Sequence, residues 1–397
     1  MKKIIFLGLL LGLGILLNAQ DNKNYNVYWK NSTHIESSDG TFKFKFGGRV
    51  QYDIANFFEG DAIKDSVGTS KNGMEFRRVR FYSAGTVYSN IKYKLQFDFS
   101  GGTAKLNDAY IIITKIPYIG FLQMGHFKEP IGFEELSSSK FLTFMERSLT
   151  SEDEPSRNTG FMIGNSLVKN RLAFRLGVFK DADNFGNNIG KQDKYNITGR
   201  LWGAPVYNPE NNKIVHIGAA YSYRNPQDKI YSLGVRPEAH LAQKYLKTGV
   251  FMDVDNSQFL QGEMVYVGGP FSVVAEAVYS QINRENYPDF TYTAYYIMAS
   301  YFLTGESKPY KASGKLSRIS PKKNFGNGGA GAWELGLRWS SMDLNKVNVS
   351  GGRLDNISFA LNWYLNPVTR IITNYIFVNM KDVDVAHIIQ MRVQIEF

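Results

Sequence analysis

The C-terminal stretch is the feature that most restricts what this chain can fold into. Over Ile389–Phe397 the residues Ile389, Met391, Val393, Ile395 and Phe397 alternate with Gln390, Arg392, Gln394 and Glu396. A period of two describes a strand with one apolar and one polar face, because successive side chains leave opposite sides of a pleated backbone. A half-buried strand in a soluble sandwich carries the same alternation, but few soluble domains finish their chain on it. In a transmembrane barrel the apolar side chains meet lipid and the polar ones line the lumen.

The same pattern recurs. Tyr93, Leu95, Phe97 and Phe99 alternate with Lys92, Lys94, Gln96 and Asp98, and Ile357, Phe359, Leu361 and Trp363 with Ser358, Ala360, Asn362 and Tyr364. Helical periodicity nowhere persists beyond about two turns. Read along the chain, strands fall at 48–57, 74–88, 91–100, 107–115, 120–127, 160–168, 171–180 and 194–203. They continue at 213–224, 257–268, 271–283, 292–304, 332–342, 355–365, 369–379 and 385–397. The count is sixteen, an even number, as an antiparallel barrel with both termini in the periplasm requires. The expectation is an all-β chain: a sixteen-stranded transmembrane antiparallel β-barrel.

Parity assigns sides to the connections. If 48–57 runs outward, the links at 89–90, 116–119, 169–170, 269–270 and 366–368 are periplasmic, and all are short. Three connections are long: 128–159 and 225–256, extracellular by parity, and 305–331, periplasmic by parity. Long ordered loops are usually functional. These three are expected to fold into the lumen and narrow it; solvent caps on the rim are the plainer alternative.

Composition supports this class. The 397 residues include 24 Tyr and 28 Phe but no Cys, which excludes disulfide frameworks, thiol catalysis and zinc–thiolate sites. Beyond residue 20 no run approaches the eighteen or so apolar residues of a membrane helix. The N-terminus reads Met1-Lys2-Lys3, an apolar run Ile4–Leu17, then Asn18-Ala19-Gln20. Such a sequence predicts a cleaved secretory signal over 1–19. No Cys follows it, so a lipoprotein anchor is not expected. Residues 20–40 read as a polar segment, and 41–397 as one barrel domain without a dividing linker.

Enzyme motifs are absent: no Gly-x-Ser-x-Gly, no His-Glu-x-x-His, no phosphate-binding P-loop. His34, His126, His216, His240 and His387 are scattered. Asp181–Gly186 opens like a calcium loop, then places Phe185 at a ligand position and Gln192 where a bidentate Glu belongs. Neither an enzyme nor a metal site is expected, and no cofactor or nucleic-acid partner.

Positive charge is more informative. With Val50, Tyr52, Val79 and Phe81 facing lipid, Arg49, Arg78 and Arg80 face inward, as do Lys92, Lys94, Arg171 and Arg175. Cations in a low-dielectric wall focus the field and favour anions, and Arg offers bidentate geometry to phosphate or carboxylate oxygens. Asp53, Asp98 and Glu396 face inward on the same argument, so a neutral pore is the competing reading. Arg77-Arg78 conflicts with a regular strand, since neighbours point to opposite faces. Either a bulge re-aims one of them or Arg77 lies at a rim or subunit contact.

At Gly48-Arg49, Phe76-Arg77-Arg78, Ser138–Arg147, Arg236-Pro237-Glu238, Leu303–Glu306 with Tyr310-Lys311, Gly331–Arg338 and Leu361–Tyr364, the chain resembles the phosphate-selective porin O and P family of Gram-negative outer membranes. The similarity runs from about residue 41 to the C-terminus. It implies a homotrimeric sixteen-stranded porin, embedded in outer-membrane lipid, through which small anionic solutes diffuse passively, phosphate or polyphosphate among them. By this resemblance the anion-binding residues are Arg49, Arg77, Arg78, Asp108, Ser138, Ser139, Arg147, Arg236, Lys311 and Lys315. By the same resemblance a cation is expected where Gly234, Glu238, Ala242 and Glu135 stand, which weighs against strict phosphate specificity. An anion porin without that specificity, general or for organic anions, is the nearest alternative; a secreted glycan-binding β-sandwich and an outer-membrane enzyme such as a lipase are more distant ones.

Overall fold

A computed structural model describes residues 24–168, 171–189, 194–208 and 210–397. The signal over 1–19 and the turn at 169–170 lie outside the described residues. All sixteen expected strands are present: β1 (Lys43–Glu59), β2 (Gly73–Val87), β3 (Ile91–Asp98), β4 (Lys105–Ile116), β5 (Gly120–Lys128), β6 (Arg157–Leu167), β7 (Leu172–Lys180) and β8 (Asn196–Asn208). Then come β9 (Lys213–Arg224), β10 (Val254–Gly268), β11 (Phe271–Arg284), β12 (Phe290–Phe302), β13 (Ala332–Lys346), β14 (Val349–Asn366), β15 (Thr369–Met380) and β16 (Asp384–Glu396). Each pairs antiparallel with its chain neighbours, and β16 returns to β1 over Ala386↔Glu59 to Glu396↔Arg49, closing the barrel.

Alternation does what the sequence demands of it. On β13, Leu335, Leu337 and Trp339 are exposed on the outer face, while Glu334, Arg338 and Ser340 between them are buried within. Near the terminal-side rim Trp333 and Trp363 stack with centroids 5.1 Å apart, as an interfacial aromatic girdle does. Phe397 caps the seam: its carbonyl accepts the Gly48 N–H at 2.7 Å. A Cβ on Gly48 would lie 2.6 Å from the Phe397 ring, so only glycine lets the terminal aromatic lie flat there.

The polar segment 20–40 contains more order than its composition suggests. Tyr25–Trp29 and Thr33–Ser37 form a hairpin whose second strand pairs with Lys43–Phe46 of β1. It thereby extends the sheet below the last residue of β16.

The Arg77-Arg78 conflict resolves as a β-bulge. Gln51 pairs with Arg78 and Tyr52 with Phe76, so Arg77 is the extra residue, and both guanidiniums point into the lumen.

The three long connections enter the lumen. Residues 129–156 cross it from the extracellular side, 225–253 descend beside them, and 303–331 rise from the periplasmic side. The largest apolar core of the molecule lies between the second of these and the wall: Val235, Tyr245 and Leu246 pack with Val254, Ile282, Tyr292, Leu354 and Ile376.

Candidate functional site

Irregular backbone inside a barrel needs partners for its carbonyls and amides. In the 129–156 segment the wall supplies them. Arg370 donates to the Leu142 carbonyl at 2.8 Å, Asn362 to Thr143 at 2.9 Å, Arg392 to Met145 at 2.5 Å and Arg338 to Glu146 at 3.2 Å. From the other wall, Glu276 accepts the N–H groups of Phe133 and Glu134 at 2.6 and 2.8 Å. Phe133 and Phe144 are buried against Val265, Val274 and Tyr296. One side of the lumen is thereby filled.

Glu146 ties this segment to the bulge. Arg77 donates to it twice at 3.0 Å, and Arg392 once at 2.7 Å. Burial pushes its carboxyl up, but Arg77, Arg78 and Arg392 together hold it well below the usual carboxylate range.

The periplasmic segment forms a hairpin, Tyr310–Lys311 against Lys315–Leu316. The wall holds its tip: Arg200 donates to the Gly314 carbonyl at 3.0 Å, Trp202 to Ala312 at 3.3 Å, and Tyr310 meets His216 at 2.7 Å. Gly314 has φ +69°, and a Cβ there would lie 2.7 Å from the Trp202 indole nitrogen. The Leu316 N–H reaches the Ser137 hydroxyl at 3.3 Å, so the two infolded segments meet.

Where they face β1–β7, a cavity of about 610 Å³ remains open. Thirteen Lys and Arg side chains border it, against one carboxylate, Asp108. Of the sequence-predicted residues, Arg49, Arg78, Asp108, Ser138, Ser139, Arg147, Lys311 and Lys315 line it, and so do Arg80, Lys94 and Arg175. Arg77 lies behind them, on Glu146. Arg236 lies outside the cavity, with its Nε on the Ala242 carbonyl at 3.0 Å in the second extracellular segment. Lys92 and Arg171 sit at strand ends beside short turns, exposed to solvent and outside the cavity.

Sequence reasoning missed Lys45, Lys128, Lys140, Arg157 and Arg318, which also border the cavity. Lys45 shares the face of Arg49, but lies before the expected start of its strand. Lys128 and Arg157 are register partners at the strand ends flanking the long connection, where the apolar–polar alternation fades.

These cations are not equally free. Asp98 holds Arg80 at 2.6 Å, Asp108 holds Lys94 and Arg157, and Glu135 pairs with Lys128 at 2.9 Å and Arg147 at 3.0 Å. Glu396 takes Lys140 at 2.6 Å and also Arg318. Arg49, by contrast, reaches only the Ser138 hydroxyl, at 3.4 Å, and its buried Nε has no partner. Arg175 rests over the Phe121 and Trp202 rings at 5.9 and 5.4 Å. Lys311 and Lys315 have no carboxylate partner among the described residues. Burial, reinforced by Arg175, Lys94 and Lys311, pushes the Lys315 ammonium down to about 7. Burial lowers Lys140 to about 8, with Glu396 opposing it.

The family model described as "Phosphate-selective porin O and P" matches residues 44–397. The chain belongs to this family. Porin O of Pseudomonas aeruginosa is 28% identical, over 90% of this chain and 87% of its own. An uncharacterized protein of Caulobacter vibrioides is 28% identical, over 88% of this chain and 71% of its own. Among solved structures, OmpF of Salmonella typhi superposes with a TM-score of 0.58 at 11% identity, covering 94% of this chain and all of its own. The anion-selective porin of Comamonas acidovorans gives 0.55 at 13% identity, covering 90% and 100%. Fold and family together make this an outer-membrane porin.

Glu238, Gly234 and Glu135, where the resemblance leads one to expect cations, have structural uses. Glu238 faces away from the cavity and is buried against the wall, accepting from Arg338 at 2.7 Å, Ser340 at 2.5 Å and Ser358 at 3.0 Å. Gly234 lies under the Lys244 side chain, whose Cδ a Cβ would approach to 2.6 Å. Burial pushes Glu135 up, but Arg147 and Lys128 draw it down to about 2, so it stays ionised and offsets those two cations.

Proposed function

We propose that this porin is a passive channel for small anions, phosphate and polyphosphate among them, in the outer membrane of a Gram-negative bacterium. The observation that carries this reading is the excess of cations around the cavity, with Arg49, Arg175, Lys311 and Lys315 left without carboxylate partners among the described residues. An anion entering loses hydration, and fixed cations in a low-dielectric wall replace it. Arg49 and Ser138 offer donors from one side, and Lys311 and Lys315 from the other. Lys315, which burial lowers to about 7, binds an anion without gripping it, which a conducting pore needs. A signal removed at residue 19, on the pattern of Met1–Gln20, and assembly as a homotrimer, on the family resemblance, complete the reading.

Purified protein in planar bilayers tests it. Reversal potential under a KCl gradient should show anion preference, and phosphate added to the bath should lower the chloride current. Selectivity for cations, or none, would end the proposal. Anion selectivity without phosphate block would retain the channel and remove phosphate from its solutes.

A further inference from the structure

The cavity is larger and less uniformly polar than an inorganic anion requires. At about 610 Å³ it has the size of a site for an organic molecule, roughly 300–1,000 Å³. One part of its wall is apolar: Tyr110 and Ile112 of β4, Phe127 of β5 and Met162 of β6 all border it. Tyr110 and Phe127 meet edge to face at 5.9 Å. A hydrated tetrahedral anion gains nothing from such a strip, because burying apolar surface is favourable only against another apolar surface.

Within and beside the strip sit two neutral amides. Gln123 pairs in register with Ile112 on one side and Met162 on the other, and Gln96 with Asp108. Each is only 8% exposed, and neither side chain donates to or accepts from any described residue. Both amides open into the cavity without a protein partner, so their donors and acceptors are free for a ligand with hydroxyl groups. Amides that pair with hydroxyls, rings that cover C–H faces, and partnerless cations form one surface.

We propose that the channel's preferred solutes are phosphate monoesters of sugar-sized polyols. The phosphoryl group lies against Arg49, Ser138 and Lys315, and the polyol body lies along Tyr110 and Ile112, which Phe127 backs from behind, with its hydroxyls on Gln96 and Gln123. This rests on the anion-channel reading and adds the body that the anion carries.

Block of the chloride current by glucose 6-phosphate, inorganic phosphate and glucose, compared on the same bilayer, tests the proposal. Glucose 6-phosphate should reach half-block at about one-fifth the concentration of phosphate, the weight of one net hydrogen bond, with no block by glucose. Gln123→Leu fits between Ile112 and Met162, and should narrow the gap between the two blockers about fivefold. Retained heat-modifiability will show that this variant is folded. Phosphate blocking as well as or better than glucose 6-phosphate in the wild-type channel would overturn this inference and leave the anion channel standing. A channel without anion selectivity would overturn both.

Discussion

Arg392 and Asp53 meet as a bidentate pair across the seam that closes the barrel, with nitrogen–oxygen distances of 2.7 and 2.6 Å. They are register partners on β16 and β1. Arg392 is fully buried and also donates to Met145 and Glu146, so one guanidinium joins seam and infolded segment.

Asp53→Ala removes one of the two carboxylates on this guanidinium. Loss of a partner from a buried pair costs about 3–5 kcal/mol when the remaining charge is left alone. Glu146 remains, so a loss of roughly 2 kcal/mol is expected. The heat-modifiability transition on gels should move to lower temperature. An unchanged midpoint would show that Glu146 alone suffices.

Anion selectivity should fall as pH rises. Lys315 at about 7 and Lys140 at about 8 are charged below these values and neutral above, so the pore loses positive charge on the alkaline side. Reversal potentials recorded from about pH 5 to pH 9 should stay constant at first and then shrink. Lys315→Met should remove the earlier part of the decline. A flat profile in the native protein would contradict these ionisations.

Two substitutions should act in opposite directions. Arg49→Ala deletes a cation that no carboxylate offsets, and should lower selectivity without abolishing conductance. Asp108→Asn removes the one carboxylate of the cavity and frees Lys94 and Arg157. Phosphate should then block at roughly threefold lower concentration, with the gain fading at high salt. Equal effects of the same sign would mean that net charge does not govern the pore.

Glu238→Lys, which places a cation where the family resemblance implies one, should not sharpen selectivity. It would set an ammonium beside the buried Arg338 and leave the Ser340 and Ser358 hydroxyls without their acceptor. The expected outcome is a loss of about 3–5 kcal/mol, visible as protease cleavage within 225–253. Greater phosphate block from an intact barrel would disprove the structural role.

The barrel was legible because lipid on one side and water on the other impose alternation on every strand. All sixteen strands were found, with ends displaced by a few residues. The displaced ends mattered for the site: Lys45 and Arg157 lie in the margins where side chains no longer face lipid and alternation fades. The infolding of the three long connections followed from parity and length. How each is held did not, because Arg370, Arg392 and Glu276 serve loop backbone far away in sequence. The bulge at Arg77 was visible only as a contradiction between two adjacent arginines. The hairpin over 25–37 was not visible at all, since five-residue strands carry too few alternations to stand out.

The seam also has a consequence in time. Asp53 and Arg392 are 339 residues apart, and over Arg49–Glu59 β1 has no partner on that edge until β16 has been made and delivered. Closing so large a loop is entropically slow. Until then an open strand edge would invite pairing with other chains. The polypeptide therefore cannot be completed piecemeal as it emerges. It must travel to its membrane unclosed, in the keeping of factors that shield that edge, and acquire a pore only in its final step.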